Sequence, residues 1–224
     1  MPGIGSALCT APKRCGDPQK TDSHSVESRY TGRMTEPARR IATYQDVLDA
    51  PANMIAEIID GELHLQPCRE LRHAAASSAL GEELGPAFKR RRGGPGGWLI
   101  LDEPELHLDD NVLAPDLAGW RRERLPAVPF DAPWLELPPD WLCEVLSPST
   151  AKIDRLRKMR IYARAGVRHC WLIDPAAHLL EVYRLEAGHW MLLGTHADDE
   201  KVRAEPFGAI ELDLSVLWED VAAG

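Results

Sequence analysis

The segment from Trp141 to Asp174 leaves this chain few ways to fold. Its first residues, Trp141-Leu-Cys-Glu-Val-Leu146, form an apolar run of strand length, the kind that is buried on both faces of a sheet. Ser147-Pro148-Ser149-Thr150 breaks the run and supplies helix caps, and the basic helix that follows ends at Gly166. Val167 to Asp174 is a second apolar run. Strand, helix and strand within about thirty residues make one βαβ crossover, which places two parallel strands in one sheet. The awkward residue is Glu144. A carboxylate inside a buried strand needs a partner, either an ion pair with the basic helix or a bound cation.

The remaining chain supplies a mixed sheet around that unit. Residues 1–33 are rich in Pro, Gly, Ser, Thr and charge without apolar periodicity, and read as a disordered tail outside the fold. Met34 is a second candidate start. Thr43 caps a short helix over Tyr44 to Leu48, and Asp60-Gly61 between two apolar runs signals a hairpin. A helix is expected from about Glu70 to Arg92, with Leu71, Ala75, Ser78 or Ala79, and Leu84 on its buried face, ended by Gly93-Gly-Pro-Gly-Gly97. Trp98 to Leu101 and Glu105 to Leu108 read as strands, and Asp109-Asp110-Asn111 as a turn. Val112 to Trp120 reads as one further strand interrupted by Pro115. The Pro-rich stretch 121–140 is long enough to suggest a functional or mobile loop. A hairpin over 178–195, a short strand at 210–212 and a helical turn near Val216 close an α/β or α+β single domain.

Composition removes several function classes. A net charge of −9 argues against non-specific coating of nucleic acid, although Lys89-Arg90-Arg91-Arg92 and the helix carrying Lys152 to Arg164 are locally basic. Such local basic surface permits nucleic acid as a substrate. No apolar run is long enough to cross a membrane and no signal-peptide core is present, so a cytoplasmic protein is expected. Five cysteines at scattered spacings, with no C-x-x-C, point away from zinc and from a disulfide framework. Cys143 and Cys170 read as small core residues.

Asp116 after Pro115, Glu144 in the buried run, and Lys158 on the basic helix stand out as chemistry. Two carboxylates from neighbouring strands can hold a hard divalent cation, which polarises a phosphodiester oxygen and supplies a hydroxide-like nucleophile. A nearby lysine then orients the water or balances developing charge. The residues alone leave alternatives open: Pro-Asp is a common turn, Glu144 can be a plain ion pair, and Lys158 can be one solvated charge among several.

An ordered set of motifs narrows the choice. Glu57-Ile-Ile-Asp-Gly-Glu62, His73, Pro115-Asp116, Glu144-Val-Leu-Ser-Pro-Ser-Thr150, Asp154, Lys158, Tyr162, Gly166-Val167 and Trp171-Leu-Ile-Asp174-Pro175 closely resemble the Uma-type restriction-endonuclease family of the PD-(D/E)XK nuclease superfamily. The resemblance runs from about Ile41 to Asp220. It implies a restriction-endonuclease-like core, a central mixed sheet flanked by helices. It also implies a magnesium site at Asp116 and Glu144, completed by the backbone carbonyl of Val145, with manganese as a substitute ion. The lysine that the wider superfamily carries two residues after the second acid is replaced by Leu146, and the family pattern moves that role to Lys158. Asp154 and Tyr162 lie four residues to either side of Lys158 and share its helix face. Asp154 then orients Lys158 or forms an ordinary ion pair. Glu57 is expected as an outer acid, and His73 as a substrate contact or a support. The basic residues Lys89 to Arg92 read as a solvated helix end or a phosphate contact.

The expected activity is therefore magnesium-dependent hydrolysis of nucleic acid, DNA before RNA, by a chain that acts alone or as a homodimer. The alternative is a catalytically inactive nuclease fold used for nucleic-acid binding or assembly.

Overall fold

The computed structural model describes residues 40–67, 70–129 and 131–220. The tail expected over 1–33 and the cysteines Cys9, Cys15 and Cys68 lie outside the described residues. A short helix α1 (Tyr44–Leu48) opens the fold, with the Asp46 carboxylate accepting the Thr43 backbone N–H at 2.7 Å. Strands β1 (Met54–Ile59) and β2 (Glu62–Pro67) form the expected hairpin. Its two-residue turn places Asp60 at φ 50° and Gly61 at φ 77°, the left-handed pair that a tight hairpin requires.

Helix α2 (Leu71–Leu84) continues into one wide π turn (Gly85–Lys89) around Pro86. Its buried face is His73, Ala76, Leu80 and Leu84, while Leu71 is 89% exposed. The face expected from the sequence was therefore rotated. Small residues make up much of this helix, and the fully buried Leu80 and Leu84 set its inward face together with His73.

Strands β3 (Trp98–Asp102), β4 (Leu106–Leu108), β5 (Asn111–Leu113) and β6 (Leu117–Arg121) follow. The single strand expected over Val112 to Trp120 is thus two strands in two different sheets. Pro115 cannot donate to a ladder, and the chain changes sheets across Ala114 to Asp116. The segment 121–140 is anchored toward both ends: Leu125 and Leu135 are buried, Trp120 Nε1 donates to the Leu137 carbonyl at 2.9 Å, and Arg124 pairs with buried Asp140 at 2.8 Å, while residues 126–129 and 131–133 are exposed.

Strand β7 (Trp141–Val145) leads into a helical segment of three pieces: α3 (Ala151–Ile153), a π turn (Asp154–Lys158) and α4 (Met159–Ala165). Gly166, at φ 79°, caps it. Strand β8 (His169–Asp174) returns parallel to β7, which completes the βαβ unit. Strands β9 (Leu179–Glu186) and β10 (His189–Ala197) make a long hairpin. The short β11 (Lys201–Val202), β12 (Leu212–Asp213) and a 3-10 turn (Leu214–Leu217) close the chain.

The main sheet runs β10-β9-β8-β7-β6-β3 and is antiparallel except at β7-β8; a second sheet runs β2-β1-β5-β4. This is a mixed α+β fold with a central mixed sheet. Alternation along β7 divides the core in two: Trp141, Cys143 and Val145 join α2 and the C-terminal segment, whereas Leu142 joins α4 and the second sheet. Phe207 anchors the first layer, with ring centroids 4.6 Å from Phe88 and 4.8 Å from Trp98 and Trp141. Cys143 and Cys170 are buried free thiols in this packing. No helix among the described residues is long and apolar enough to cross a membrane.

Candidate functional site

The antiparallel register of β6 and β7 sets the two central acids. Their last pair is Leu117 with Cys143, so Asp116 stands one step further, in line with Glu144. Asp116 is 1% exposed; its Oδ2 accepts the Val145 backbone N–H at 2.6 Å and lies 3.2 Å from His73 Nε2. Helix α2 thus supplies a side chain that steadies Asp116 from the far side.

Glu144 points the other way in sequence terms, toward the helical segment after β7. Lys158 Nζ lies 3.1 Å from Glu144 Oε1, 2.9 Å from Glu57 Oε1 and 3.4 Å from Asp154 Oδ1. The Tyr162 hydroxyl donates to Glu144 Oε1 at 2.5 Å. Asp154, Lys158 and Tyr162 are all buried, so the spacing of four residues does bring them to one face. Glu57 is fully buried, and its Oε1 also accepts the Ala114 backbone N–H at 2.9 Å. All seven residues singled out in the sequence are therefore held in one connected region: His73, Asp116, Glu144, Asp154 and Lys158 line a single cleft, and Glu57 and Tyr162 reach it through Lys158 and Glu144.

The electrostatics follow from burial. Loss of solvent pushes the Glu144 carboxyl up to about 7; Lys158 opposes that rise, Asp154 and Glu57 add to it, and the Tyr162 hydrogen bond opposes it. Asp154 is raised chiefly by burial too. Burial works to discharge Lys158, but Glu144, Glu57 and Asp154 outweigh it and hold the ammonium above its ordinary value. The Tyr162 phenol is pushed well up by burial and then by Glu144, so it stays a donor.

Glu57, Glu144 and Asp154 surround one ammonium, and Asp116 lies in the same cleft as two of them. Buried charge of one sign in excess is costly, and a divalent cation at this point would offset it. The cleft, of about 80 Å³, is lined by His73, Asp116, Glu144, Val145, Asp154 and Lys158 among others. It has room for an ion with water, since about 10–15 Å³ of such space is enough for one water molecule. Among the described residues no three His, Cys, Asp or Glu side chains are grouped to hold a metal ion. Magnesium does not need three: it is commonly held by one or two carboxylates, with water and substrate phosphate completing the shell. Both Glu144 contacts fall on Oε1, which leaves Oε2 for an ion. The oxygen donors fit magnesium or manganese and are poorly suited to zinc.

Sequence reasoning missed Gln66, whose amide donates to Glu57 Oε2 at 2.7 Å. The hairpin register pairs Glu57 with His64, so Gln66 is the diagonal neighbour on the same face, and the Asp60-Gly61 turn carried that signal. Three arginines of the basic helix are held by acids, whereas Arg160 is exposed. Arg155 pairs with Glu181, Arg157 with Glu62 at 2.7 Å and Asp60 at 3.4 Å, and Arg164 with Asp60 at 3.2 Å. Acidic residues far away in sequence claim them, which helix periodicity cannot register.

Comparison with known proteins bears on the same residues. A solved structure, that of a putative nuclease of the DUF820 group from Anabaena variabilis, matches with a TM-score of 0.63 at 22% identity, covering 79% of this chain and 97% of that one. At that identity the likeness concerns the fold. No curated protein matches. A family model described as "putative restriction endonuclease" matches residues 41–216, a span that contains both sheets and every acid of the cleft. Sequence and fold agree on the placement, and the chain belongs to this Uma2 family.

Proposed function

We propose that this chain is a metal-dependent nuclease that hydrolyses phosphodiester bonds of DNA in the cytoplasm, through a domain spanning residues 41–220. The observation that supports it most is the convergence of Asp116, Glu144 and Lys158 on one narrow cleft in a chain of this family. Asp116, Glu144 and the Val145 carbonyl would hold magnesium. The ion would polarise a phosphate oxygen and lower the pKa of a bound water.

The chain's own residues have separate tasks. The Val145 N–H and His73 fix Asp116, so its carboxylate is oriented before substrate arrives. Tyr162 and Lys158 fix Glu144 through Oε1. Lys158, kept protonated by its three carboxylates, faces the cleft as the positive group that steadies charge developing on the phosphate. Glu57 and Asp154 position Lys158.

The test is cleavage of labelled oligonucleotides and of a small diester, thymidine 5′-p-nitrophenyl phosphate, with magnesium and with chelator. Asp116→Ala should abolish metal-dependent turnover while circular dichroism is unchanged. Undiminished turnover by the purified variant would overturn the assignment. The alternative of an inactive binding or assembly module draws on the acidic net charge of −9. It predicts no turnover of any substrate and no thermal shift with magnesium, since an ion that binds only the native state must raise its stability.

A further inference from the structure

The catalytic cleft has one large extension. His73 is shared between that cleft and a groove of about 460 Å³ that runs along α2 and its π turn. The near wall is Ser77, Ser78, Gly81, Gly85 and Lys89; the far wall includes Asp102 and Glu103 from the end of β3. From His73 to Lys89 is sixteen helical positions, about 24 Å at 1.5 Å per residue, which is room for a few nucleotides. Beyond Lys89 stand Arg90, Arg91 and Arg92, all exposed. A basic cluster thus lies at the far end of a groove that begins at the cleft.

Two further observations decide which form of nucleic acid this arrangement suits. Asp116, Glu144 and Lys158 are 1–3% exposed, so the scissile phosphate must enter a slot rather than rest on a surface. The middle of the groove carries Glu82, Asp102 and Glu103, and Arg155, Arg157 and Arg164 of the basic helix are engaged with Glu181, Glu62 and Asp60. A duplex presents its phosphates outward and would meet acidic side chains along this path. An unpaired strand can turn its bases to the wall, where carboxylates and serine hydroxyls accept and donate to base edges, and leave its phosphates to solvent until the basic cluster.

We infer that the substrate is an unpaired nucleic-acid strand, laid from the cleft along α2 in the groove between His73 and Lys89 and anchored by its phosphates on Lys89 and Arg90 to Arg92. This rests on the nuclease reading above and names the substrate class for it.

Ser78 gives a selective test. It lines the groove from an exposed position on α2. Ser78→Phe should narrow the groove without disturbing the core, and Lys89→Glu with Arg90→Glu should remove the anchor. The substrates are a single-stranded oligonucleotide, the same sequence as a duplex, and thymidine 5′-p-nitrophenyl phosphate, which occupies only the cleft. The wild-type chain should cut the single strand at least tenfold faster than the duplex. Each variant should raise KM for the single strand about tenfold, with thermal stability and turnover of the small diester unchanged. Equal cleavage of the duplex, or an unchanged KM in both variants, overturns the inference while small-diester turnover sustains the nuclease reading. Failure of all three substrates overturns both.

Discussion

Asp116 Oδ2 accepts the backbone N–H of Val145 at 2.6 Å, so one acid of the cleft is bonded directly to the strand that carries the other. The position of Asp116 relative to Glu144 is therefore set by main chain rather than by a flexible side chain. Asp116→Asn keeps an oxygen that can accept this bond but loses the charge. It should fold with a melting temperature within a few degrees of wild type, and lose about a hundredfold or more in magnesium-dependent turnover, the scale on which removal of one electrostatic contact acts. Parallel calorimetry and kinetics would separate the two effects; a large fall in melting temperature would instead give Asp116 a structural task.

Lys158 should be the most damaging single charge to remove. Lys158→Met leaves Glu57, Glu144 and Asp154 buried without their shared cation. Breaking a buried pair from one side costs about 3–5 kcal/mol. For a domain of this size that is roughly 10 °C in melting temperature. Adding Glu57→Gln to Lys158→Met should recover part of the loss, because one unpaired charge is removed with it. Additive effects in the double variant would contradict a shared cluster.

The Glu144 carboxyl should make the metal-free protein less stable as pH rises toward neutrality. The folded-state value of Glu144, about 7, lies above its ordinary 4.5, so the native state keeps a proton that the unfolded chain has already released. Stability then falls between about pH 4.5 and 7, where the unfolded state binds fewer protons. Asp154, raised as well, acts in the same direction. Lys158 is charged in both states throughout this window and adds no slope. Thermal melts in chelator from pH 5 to 8 should show the decline, and magnesium should reverse it most at the upper end. His64 and His169, held below their ordinary values chiefly by burial, act in the opposite direction, so the decline is read as the difference from Glu144→Gln; no difference would mean that Glu144 is ionised in the apo protein.

Phe207 should matter more than its place in an irregular segment suggests. Its ring meets Phe88, Trp98, Trp141 and Trp171 at centroid distances of 4.6–5.6 Å. Phe207→Ala should cost about 3–5 kcal/mol, the usual range for an emptied aromatic core position. Urea unfolding measures it; a change below about 1 kcal/mol would mean that the surrounding rings close the gap.

The parts of the fold legible in the sequence are those set by local rules. The βαβ unit follows from run lengths and from Gly166, and the β1-β2 turn from Asp60-Gly61. The seven site residues came from ordered motifs, and the structure places them together. What was illegible depends on distant partners. The inward face of α2 is set by Leu80 and Leu84 in the core and by His73 meeting Asp116, not by Leu71. Arg155, Arg157 and Arg164 of the basic helix are claimed by Glu181, Glu62 and Asp60, which lie far off in the chain. Residues 112–120 divide between two sheets because each half finds a different neighbour, β5 against β1 and β4, β6 against β3 and β7.

That division has a consequence for how the site fails. Ala114 donates to Glu57 in one sheet, and two residues later Asp116 accepts from Val145 in the other. The chemistry straddles a seam, and neither sheet contains it alone. If the β1-β2 hairpin opens while the larger sheet stays folded, Glu57 and Gln66 leave together and Lys158 loses its nearest carboxylate. Activity should therefore vanish at a denaturant concentration below the one that unfolds the tryptophan-rich core, as expected where local opening precedes global unfolding.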